Sequence, residues 1–135
     1  TLVVADMDHF KLVNDNYGHA AGDIVIKEVA HFLQASIRES DFAARFGGEE
    51  FVFLLPETSL LDATKAMNKI RLGVKDLKIA SDDKNISIAM SFGIAEFENN
   101  DTPKAVFARA DQALYRAKEK GRDQVCCQRA NATDE

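Results

Sequence analysis

The sequence predicts an α/β (α+β) domain in which helices flank a mixed central sheet. Apolar runs of strand length alternate with stretches of helical period, in the order β-α-α-β-β-α-β-α-β. The first run, 2–5, is continuously apolar, which is typical of a strand buried on both faces. Gly47 and Gly48 lie between two further apolar runs and predict a tight hairpin. Because hairpin strands are antiparallel, we expect the sheet to be mixed.

Length and charge narrow the class of protein. The 135 residues suffice for one domain with a sizeable core, which we expect over 1–127, followed by a polar tail over 128–135. The net charge of −5 argues against broad nucleic-acid or membrane-surface binding. No apolar run approaches the roughly 20 residues of a membrane span, and no signal peptide is visible. Because Thr1 is not an initiator Met, we expect a cytoplasmic piece of a longer protein, whose full length could carry a membrane anchor.

In the first half of the chain, residues 9–19 predict a short helical turn and a loop. A helix is predicted from Ala21 to about Arg38. Its apolar positions recur at helical spacing: Ile26, Val29, Ala30, Leu33 and Ile37. The hairpin strands follow over 42–44 and 52–55, with a type I′ turn at the glycine pair because that turn needs φ > 0 at both central positions.

In the second half, Ser59 is predicted to cap a helix that reaches Leu77. Residues 81–85 predict a polar turn. Apolar residues alternate with small ones over 86–94, which predicts one strand with the core on one face. Thr102-Pro103 predicts the start of a helix ending near Lys120, with Gly121 as its C-cap, and 124–128 predict a last strand. Cys126 and Cys127 have no metal-site spacing, so we interpret them as reduced packing residues.

Four carboxylates follow apolar runs. Asp6 and Asp8 end the first strand, and Glu49 and Glu50 follow the glycine pair. Two like charges about 4 Å apart cost roughly 4 kcal/mol at an effective dielectric near 20, so such a pair favours a cation. If the two strand ends meet, the oxygen ligands suit Mg²⁺, which usually comes with phosphates. The four could instead be unrelated surface charges.

Polar residues elsewhere allow two interpretations each. Lys118 and Arg122 lie four apart on one helix face and could grip a triphosphate, or could simply favour the negative end of the helix dipole. Asp23 could accept two hydrogen bonds from the edge of guanine, which adenine cannot offer, or could be a charge near a helix N-terminus. Arg38 and Asp41 could form a local ion pair worth under about 1 kcal/mol, or a fork for a second, anionic guanine ligand.

Taken together, these residues resemble the GGDEF domain of bacterial diguanylate cyclases. The matching segments run in order over nearly the whole chain: Asp6-Met7-Asp8-His9-Phe10-Lys11, Asn14-Asp15, Gly18-His19, Gly22-Asp23, Arg45-Phe46-Gly47-Gly48-Glu49-Glu50-Phe51, Ser91-Phe92-Gly93, Ala110-Asp111-Gln112-Ala113-Leu114-Tyr115-Arg116-Ala117-Lys118 and Gly121-Arg122. One hairpin alone would be a weak signal, whereas this ordered set is specific.

The resemblance implies a fold like the palm of nucleotidyl cyclases and polymerases, with a ferredoxin-like core. It implies that a homodimer of such domains converts two GTP into cyclic di-GMP and two pyrophosphates, with Mg²⁺ (or Mn²⁺) as cofactor. One domain cannot close a symmetric ring from two nucleotides, so two must face each other. We expect a sensory or regulatory domain upstream to control this pairing.

The resemblance also assigns roles to individual residues. Asp6, the backbone carbonyl of Met7 and Glu49 are expected to bind the metal, with Glu49 also the base for the ribose 3′-OH and Glu50 supporting the metal site. The remaining substrate residues are expected to bind guanine, ribose or phosphates: Phe10, Lys11, Asn14, His19, Asp23, Lys118 and Arg122. Arg38 and Asp41 match the family's RxxD site, at which product inhibits.

This chain departs from the family pattern in three places. The signature has Glu49 where Asp is frequent, which keeps both acids. Asp123 stands where Asn is usual. The Asp-x-Leu-Thr segment before the first strand is missing. The alternative function is a catalytically silent regulatory module that binds cyclic di-GMP or GTP.

Overall fold

A central five-stranded sheet organises the fold, which was obtained as a computed structural model that describes residues 1–130. The strands are β1 (Leu2–Met7), β2 (Phe42–Gly47), β3 (Glu50–Leu54), β4 (Ile79–Ser81), β5 (Lys84–Ile86), β6 (Met90–Ala95) and β7 (Val125–Cys127). The helices are α1 (Phe10–Tyr17), α2 (His19–Ser36), α3 (Leu60–Asp76) and α4 (Pro103–Glu119). The last five residues of the predicted polar tail, 131–135, lie outside the described residues.

The central sheet is mixed, as predicted. Its order is β2-β3-β1-β6-β7, and only the β6–β7 pair is parallel. Along the chain, the βαββαβ pattern of ferredoxin-like folds is formed by β1, β2, β3 and β6 with the helices between them. Each of the six residues of β1 is buried, because β1 is hydrogen-bonded on both edges and covered on both faces. The continuous apolar run therefore indicated the central strand.

Helices cover the two faces of this sheet unequally. The odd-numbered residues of β1, such as Val3, belong to the larger core beneath α2 and α3. Val4 and its even-numbered neighbour Leu2 pack instead against α4. Gly93 lies on the α4 side, where a Cβ atom would be only 2.1 Å from the main-chain oxygen of Ala110. The small residues of β6 thus let α4 lie directly on the sheet.

The single strand predicted over 86–94 was wrong. Lys84–Ile86 pairs with Ile79–Ser81 in a separate two-stranded sheet, whose turn contains Asp82 at φ 53°. The chain then leaves that sheet, and Met90 enters the central one. Both faces of β6 are buried. The alternation of large and small residues therefore reflects different packing on the two faces, with the small residues beneath α4, and does not indicate an exposed face. Residues 10–17 form a complete helix, longer than the predicted turn, because Phe10 and Val13 are buried.

The hairpin forms as predicted, but its turn is displaced by one residue. Gly47 pairs with Glu50, so the two-residue loop is Gly48-Glu49 rather than the glycine pair. A register shift between Arg45 and Gly47 takes up the difference. The residue in the bulge, Phe46, packs its ring 5.5 Å from that of Phe107 on α4. Both glycines have positive φ, at 133° and 52°, so the glycine requirement was predicted correctly.

Helix ends agree closely with the sequence signals. The hydroxyl of Ser59 accepts a hydrogen bond from the Asp62 N–H, and that of Thr102 accepts one from the Ala105 N–H. At the end of α4, Lys120 is the capping residue, and Gly121 follows it with φ 113°. Within residues 1–130, no helix combines the length and apolarity needed to cross a membrane.

Candidate active site

One cleft of about 170 Å³ gathers most of the predicted catalytic and phosphate-binding residues. It lies where the end of β1, the start of α1, the β2–β3 loop and the end of α4 meet. The residues that line it are Asp6, Met7, Asp8, His9, Phe10, Lys11, Glu49, Lys118 and Arg122. All of these except Asp8 and His9 are predicted site residues.

Strand pairing brings the acidic segments together. Asp6 is directly opposite Glu50 in the β1–β3 ladder. The Met7 N–H donates a hydrogen bond to the main-chain oxygen of Glu49 at 3.2 Å, which holds the hairpin loop beside the strand end. Arg45 Nε donates to the Gly48 oxygen at 2.8 Å and braces the loop from inside the hairpin. The acids predicted to bind metal and to act in catalysis therefore lie on neighbouring strands and the loop between them.

Asp6 is a buried acid whose pKa is shifted by its surroundings. Its side chain is 9% exposed, and one of its oxygens accepts a hydrogen bond from Lys118 Nζ at 2.5 Å. Burial raises the pKa of Asp6, the ion pair with Lys118 lowers it, and the net direction is upward. The pKa of Glu50 is raised by burial and then by repulsion from Asp6. A cation in this cleft would relieve that repulsion.

Asp8 lines the same cleft but has hydrogen-bond partners of its own. One oxygen of its buried carboxylate accepts from the Ser91 hydroxyl at 2.7 Å, and the other accepts from the Asp123 N–H at 2.9 Å. Its own N–H donates to the Ala89 oxygen at 2.8 Å. Asp8 therefore lies in the same cleft as Asp6 and Glu49, as the convergence predicted, but partners far along the chain already occupy both of its oxygens.

The donors in the cleft fit Mg²⁺ bound together with phosphates. Among residues 1–130, no group of three or more His, Cys, Asp or Glu side chains is arranged to hold a metal ion. The lining of the cleft does include three acids, Asp6, Asp8 and Glu49, together with Met7. Mg²⁺ is commonly held by one or two carboxylates with substrate phosphates rather than by a protein cage, and Mn²⁺ prefers similar oxygen ligands.

The predicted guanine-binding residues lie apart from the lining of this cleft, at the junction of α1 and α2. Asn14 is half-buried in α1, whereas His19 and Asp23 are exposed in the first turns of α2. Gly22 explains how the two helices meet. A Cβ atom there would lie 1.9 Å from the side-chain oxygen of Asn14. The sequence pattern carried Gly22 only as part of a motif, and its packing role was missed.

A second, larger cleft of about 320 Å³ adjoins Arg38 and Asp41. Arg38 Nη2 and Nε contact the two oxygens of Asp41 at 2.9 and 3.1 Å. The Asp41 side chain is 5% exposed and that of Arg38 58%, and this two-bond contact with Arg38 lowers the pKa of Asp41. Arg38 also donates to the Thr58 hydroxyl at 2.7 Å. The local ion pair and the cleft beside it are thus both present.

Asp123 is a site-adjacent residue whose contacts were not foreseen. Its carboxylate lies 2.9 Å from Arg71 Nη1 and 2.7 Å from Lys75 Nζ, both on α3. The one available signal was its departure from the Asn that the family resemblance led us to expect.

Comparison with known proteins identifies the relatives of this chain. The family described as "Diguanylate cyclase, GGDEF domain" matches residues 1–124. The diguanylate cyclase DgcP of Pseudomonas aeruginosa is 49% identical over 124 residues, covering 92% of this chain and 18% of that protein. The diguanylate cyclase A of Treponema denticola is 40% identical over 132 residues, covering 97% of this chain and 36% of that protein. The chain thus spans only a minor part of these curated relatives.

Solved structures give the same result for the fold. The GGDEF domain of DgcB from Caulobacter crescentus, in complex with c-di-GMP, superposes with a TM-score of 0.88 at 38% identity, covering 93% of this chain and 75% of that one. The active GGEEF domain of a diguanylate cyclase from Vibrio cholerae superposes with a TM-score of 0.85 at 34% identity, covering 93% and 80%. The predicted palm-like fold is confirmed.

Proposed function

The chain belongs to the diguanylate cyclase GGDEF domain family, and on that premise we propose that it condenses two GTP molecules into cyclic di-GMP with release of two pyrophosphates. One observation carries the proposal. The 170 Å³ cleft combines three acids, of which Asp6 and Glu49 are the ones assigned to the metal, with three cations, Lys11, Lys118 and Arg122. Carboxylates suit a metal bound to phosphates, and the cations suit the charge of the triphosphate itself.

The acids have different roles in the proposed reaction. Bound Mg²⁺ would be held by Asp6, Glu49 and the Met7 carbonyl, and would supply positive charge to the phosphates and to the developing alkoxide. Glu49 lies on the hairpin loop, where a carboxylate can take the proton of the ribose 3′-OH. Glu50, opposite Asp6, adds negative charge that favours the cation.

The cations bind and orient the rest of the nucleotide. Phe10 and Lys11 come from the first turn of α1 and Lys118 from the last turn of α4, so the triphosphate would lie between two helix termini. Arg122 does not share a helix face with Lys118, contrary to the prediction from their spacing, because α4 ends before Arg122, which has φ 65°. The 3′-oxygen of one nucleotide attacks the α-phosphorus of the other, and the bond to the β-phosphate breaks to release pyrophosphate. Lys118 already neutralises Asp6, and in the complex it would exchange part of this contact for phosphate oxygens.

Two copies of the domain are needed for a symmetric ring. Each copy binds one GTP, and the two clefts face each other across a two-fold axis so that each 3′-OH reaches the other nucleotide. Encounter between domains would thereby be a control point, and further domains of a longer protein would act by governing it. Asn14 and Asp23 would select guanine, with His19 beside the ribose and base.

Product inhibition would use Arg38 and Asp41. The guanidinium and the carboxylate are prearranged at the mouth of the 320 Å³ cleft, where Arg38 can pair with the phosphate or guanine edge of cyclic di-GMP. The same observation favours a second candidate function, a receptor that binds cyclic di-GMP here and makes none.

The test is to incubate the purified chain at high concentration with GTP and Mg²⁺, and to detect cyclic di-GMP by chromatography. We expect product from the parent and none from Glu49→Ala. Glu28→Gln, an exposed acid on α2, is the matched control and should keep full turnover. Equal turnover by parent and Glu49→Ala would falsify the assigned chemistry.

A second measurement separates the two candidate functions. The receptor alternative predicts no product and tight binding of cyclic di-GMP by calorimetry, abolished by Arg38→Ala. The enzyme proposal predicts that the parent and Arg38→Ala both make product, and that only the parent is inhibited by added cyclic di-GMP. Inhibition of Arg38→Ala equal to that of the parent would show that the second site is misassigned.

A further inference from the structure

The segment that carries Arg122 is unusual in its backbone. Directly after α4, Arg122 and Asp123 have φ values of 65° and 49° in succession, following Gly121 at 113°. The left-handed region is unfavourable for residues with a Cβ atom and persists only where surrounding contacts enforce it. Arg122 is itself exposed and lines the cleft, so the enforcing contacts must come from its neighbours.

Asp123 supplies those contacts from two directions. Its carboxylate pairs with Arg71 at 2.9 Å and with Lys75 at 2.7 Å, which ties the segment to the adjacent turns of α3. Its N–H is shared between the Asp8 carboxylate, at 2.9 Å, and the Ser91 hydroxyl, at 3.0 Å. The left-handed turn is thus attached both to a helix and to the end of the central strand that bears Asp6.

We propose that Arg71, Lys75 and Asp123 form an ionic clamp that positions Arg122 for the triphosphate of the nucleotide. This inference rests on the proposed function. It assigns to α3 a part in substrate binding, although none of the residues that line the cleft belongs to α3. Arg71 and Lys75 are positioning residues, since they act through Asp123.

The charge on Asp123 is central to the clamp. An asparagine would keep the backbone N–H that Asp8 and Ser91 receive, but it would lose both ion pairs. Arg71 Nη1 also donates to the Asp123 main-chain oxygen at 3.3 Å, so it holds backbone and side chain together. Burial raises the pKa of Asp123, but the contacts with Lys75 and Arg71 outweigh burial and the pKa is lowered, which keeps the acid ionised.

A positioning role predicts a particular kinetic pattern. Because the clamp acts on binding of the triphosphate, we expect its loss to raise KM for GTP more than it lowers kcat. Asp123→Asn and Arg71→Gln should each raise KM and weaken GTP binding by about five- to tenfold, part of the loss expected for a charged hydrogen bond. The double variant should be little worse than Asp123→Asn alone, because that change already removes the ion pair that Arg71→Gln removes.

Calorimetry with GTP and with guanosine monophosphate provides the decisive readout. The clamp predicts loss of affinity for GTP and little loss for the monophosphate, which lacks the phosphates that Arg122 reaches. Lys69→Gln, an exposed lysine on the same helix, is the control and should change neither. Thermal unfolding of each variant confirms that binding is measured on folded protein.

The outcomes are distinguishable. GTP affinity of Asp123→Asn equal to that of the parent, in a parent that makes cyclic di-GMP, would overturn the clamp and leave the proposed function intact. Equal losses for GTP and the monophosphate would also overturn it, because they indicate general loosening. A parent that neither binds nor converts GTP would overturn the proposed function and the clamp with it.

Discussion

Replacing Gly93 with alanine tests the packing that holds α4, and with it Lys118, beside the 170 Å³ cleft. Gly93 is in β6, next to β1, and faces α4 across the smaller of the two cores. A Cβ atom would lie 2.1 Å from the Ala110 oxygen, 2.2 Å from the Leu114 nitrogen and 2.8 Å from the Leu114 Cα. All three are main-chain atoms, so no side-chain rotation can make room.

The size of the effect follows from these distances. Cβ contacts under 3.0 Å are essentially never observed, so α4 must retreat by about 0.9 Å or more. Overpacking of a core costs about 1–3 kcal/mol, and a clash with main chain on three atoms belongs at the upper end. We therefore expect a loss of about 3 kcal/mol in the free energy of unfolding, or about 10 °C in Tm for a domain of this size.

Activity should fall further than stability alone requires. Lys118 lies two turns beyond Ala110 on the same helix and contacts Asp6 directly. A displacement of about 1 Å at a reacting centre can cost on the order of a hundredfold in rate. Turnover of GTP, measured at a temperature where the variant is fully folded, should therefore drop by at least about tenfold.

Gly73→Ala is the matched control. Its Cβ would lie 2.3 Å from Phe32 Cζ, which is the end of a side chain that can rotate, and alanine gains about 1 kcal/mol over glycine within α3. We expect its free energy of unfolding by urea to stay within about 1 kcal/mol of the parent. If Gly93→Ala proves as stable and as active as Gly73→Ala, the close approach of α4 is refuted as the reason for glycine in β6.

Three further predictions concern recognition, pH and metal. Gly22→Ala should displace the Asn14 amide and reduce discrimination of GTP against ATP, with little loss of Tm; unchanged discrimination in a competition assay would contradict this. Arg38 lowers the pKa of Asp41 from its ordinary value of 3.8. The pair therefore stabilises the fold fully at pH values above 3.8, and this stabilisation is lost as the pH falls through the lowered pKa. Asp41→Asn should accordingly unfold more easily than the parent in urea at pH 7, with the difference narrowing below pH 3.8, and a pH-independent difference would refute the linkage. Chelation of metal with EDTA should stop turnover without lowering Tm, and Mg²⁺ should restore it; product formed in excess EDTA would count against metal-assisted chemistry.

Local patterns were sufficient for most elements of the fold. Strand length, helical period and capping residues depend on neighbours in sequence, and the caps at Ser59 and Thr102 were predicted correctly for that reason. The interruption of the strand before Met90 was not predicted. It depends on pairing between Lys84–Ile86 and Ile79–Ser81, which the alternation of side chains does not indicate.

The same distinction applies to the site. The meeting of Asp6 with the hairpin acids could be anticipated, since strand ends tend to place ligands together. Asp8 has the same local pattern as Asp6, yet it is engaged by Ser91, far along the chain. The close contacts at Gly22 and Gly93 also depend on how helices lie, which no spacing of residues records.

The central position of β1 has a consequence for biosynthesis. This strand emerges first in the described chain, whereas its neighbours end at Leu54 and Ala95. At about 5–20 residues per second, the ribosome needs roughly 4–18 s after Met7 to complete β6. For that interval the β6 edge of this short apolar strand has no native partner, so chaperone binding during translation should concentrate on β1.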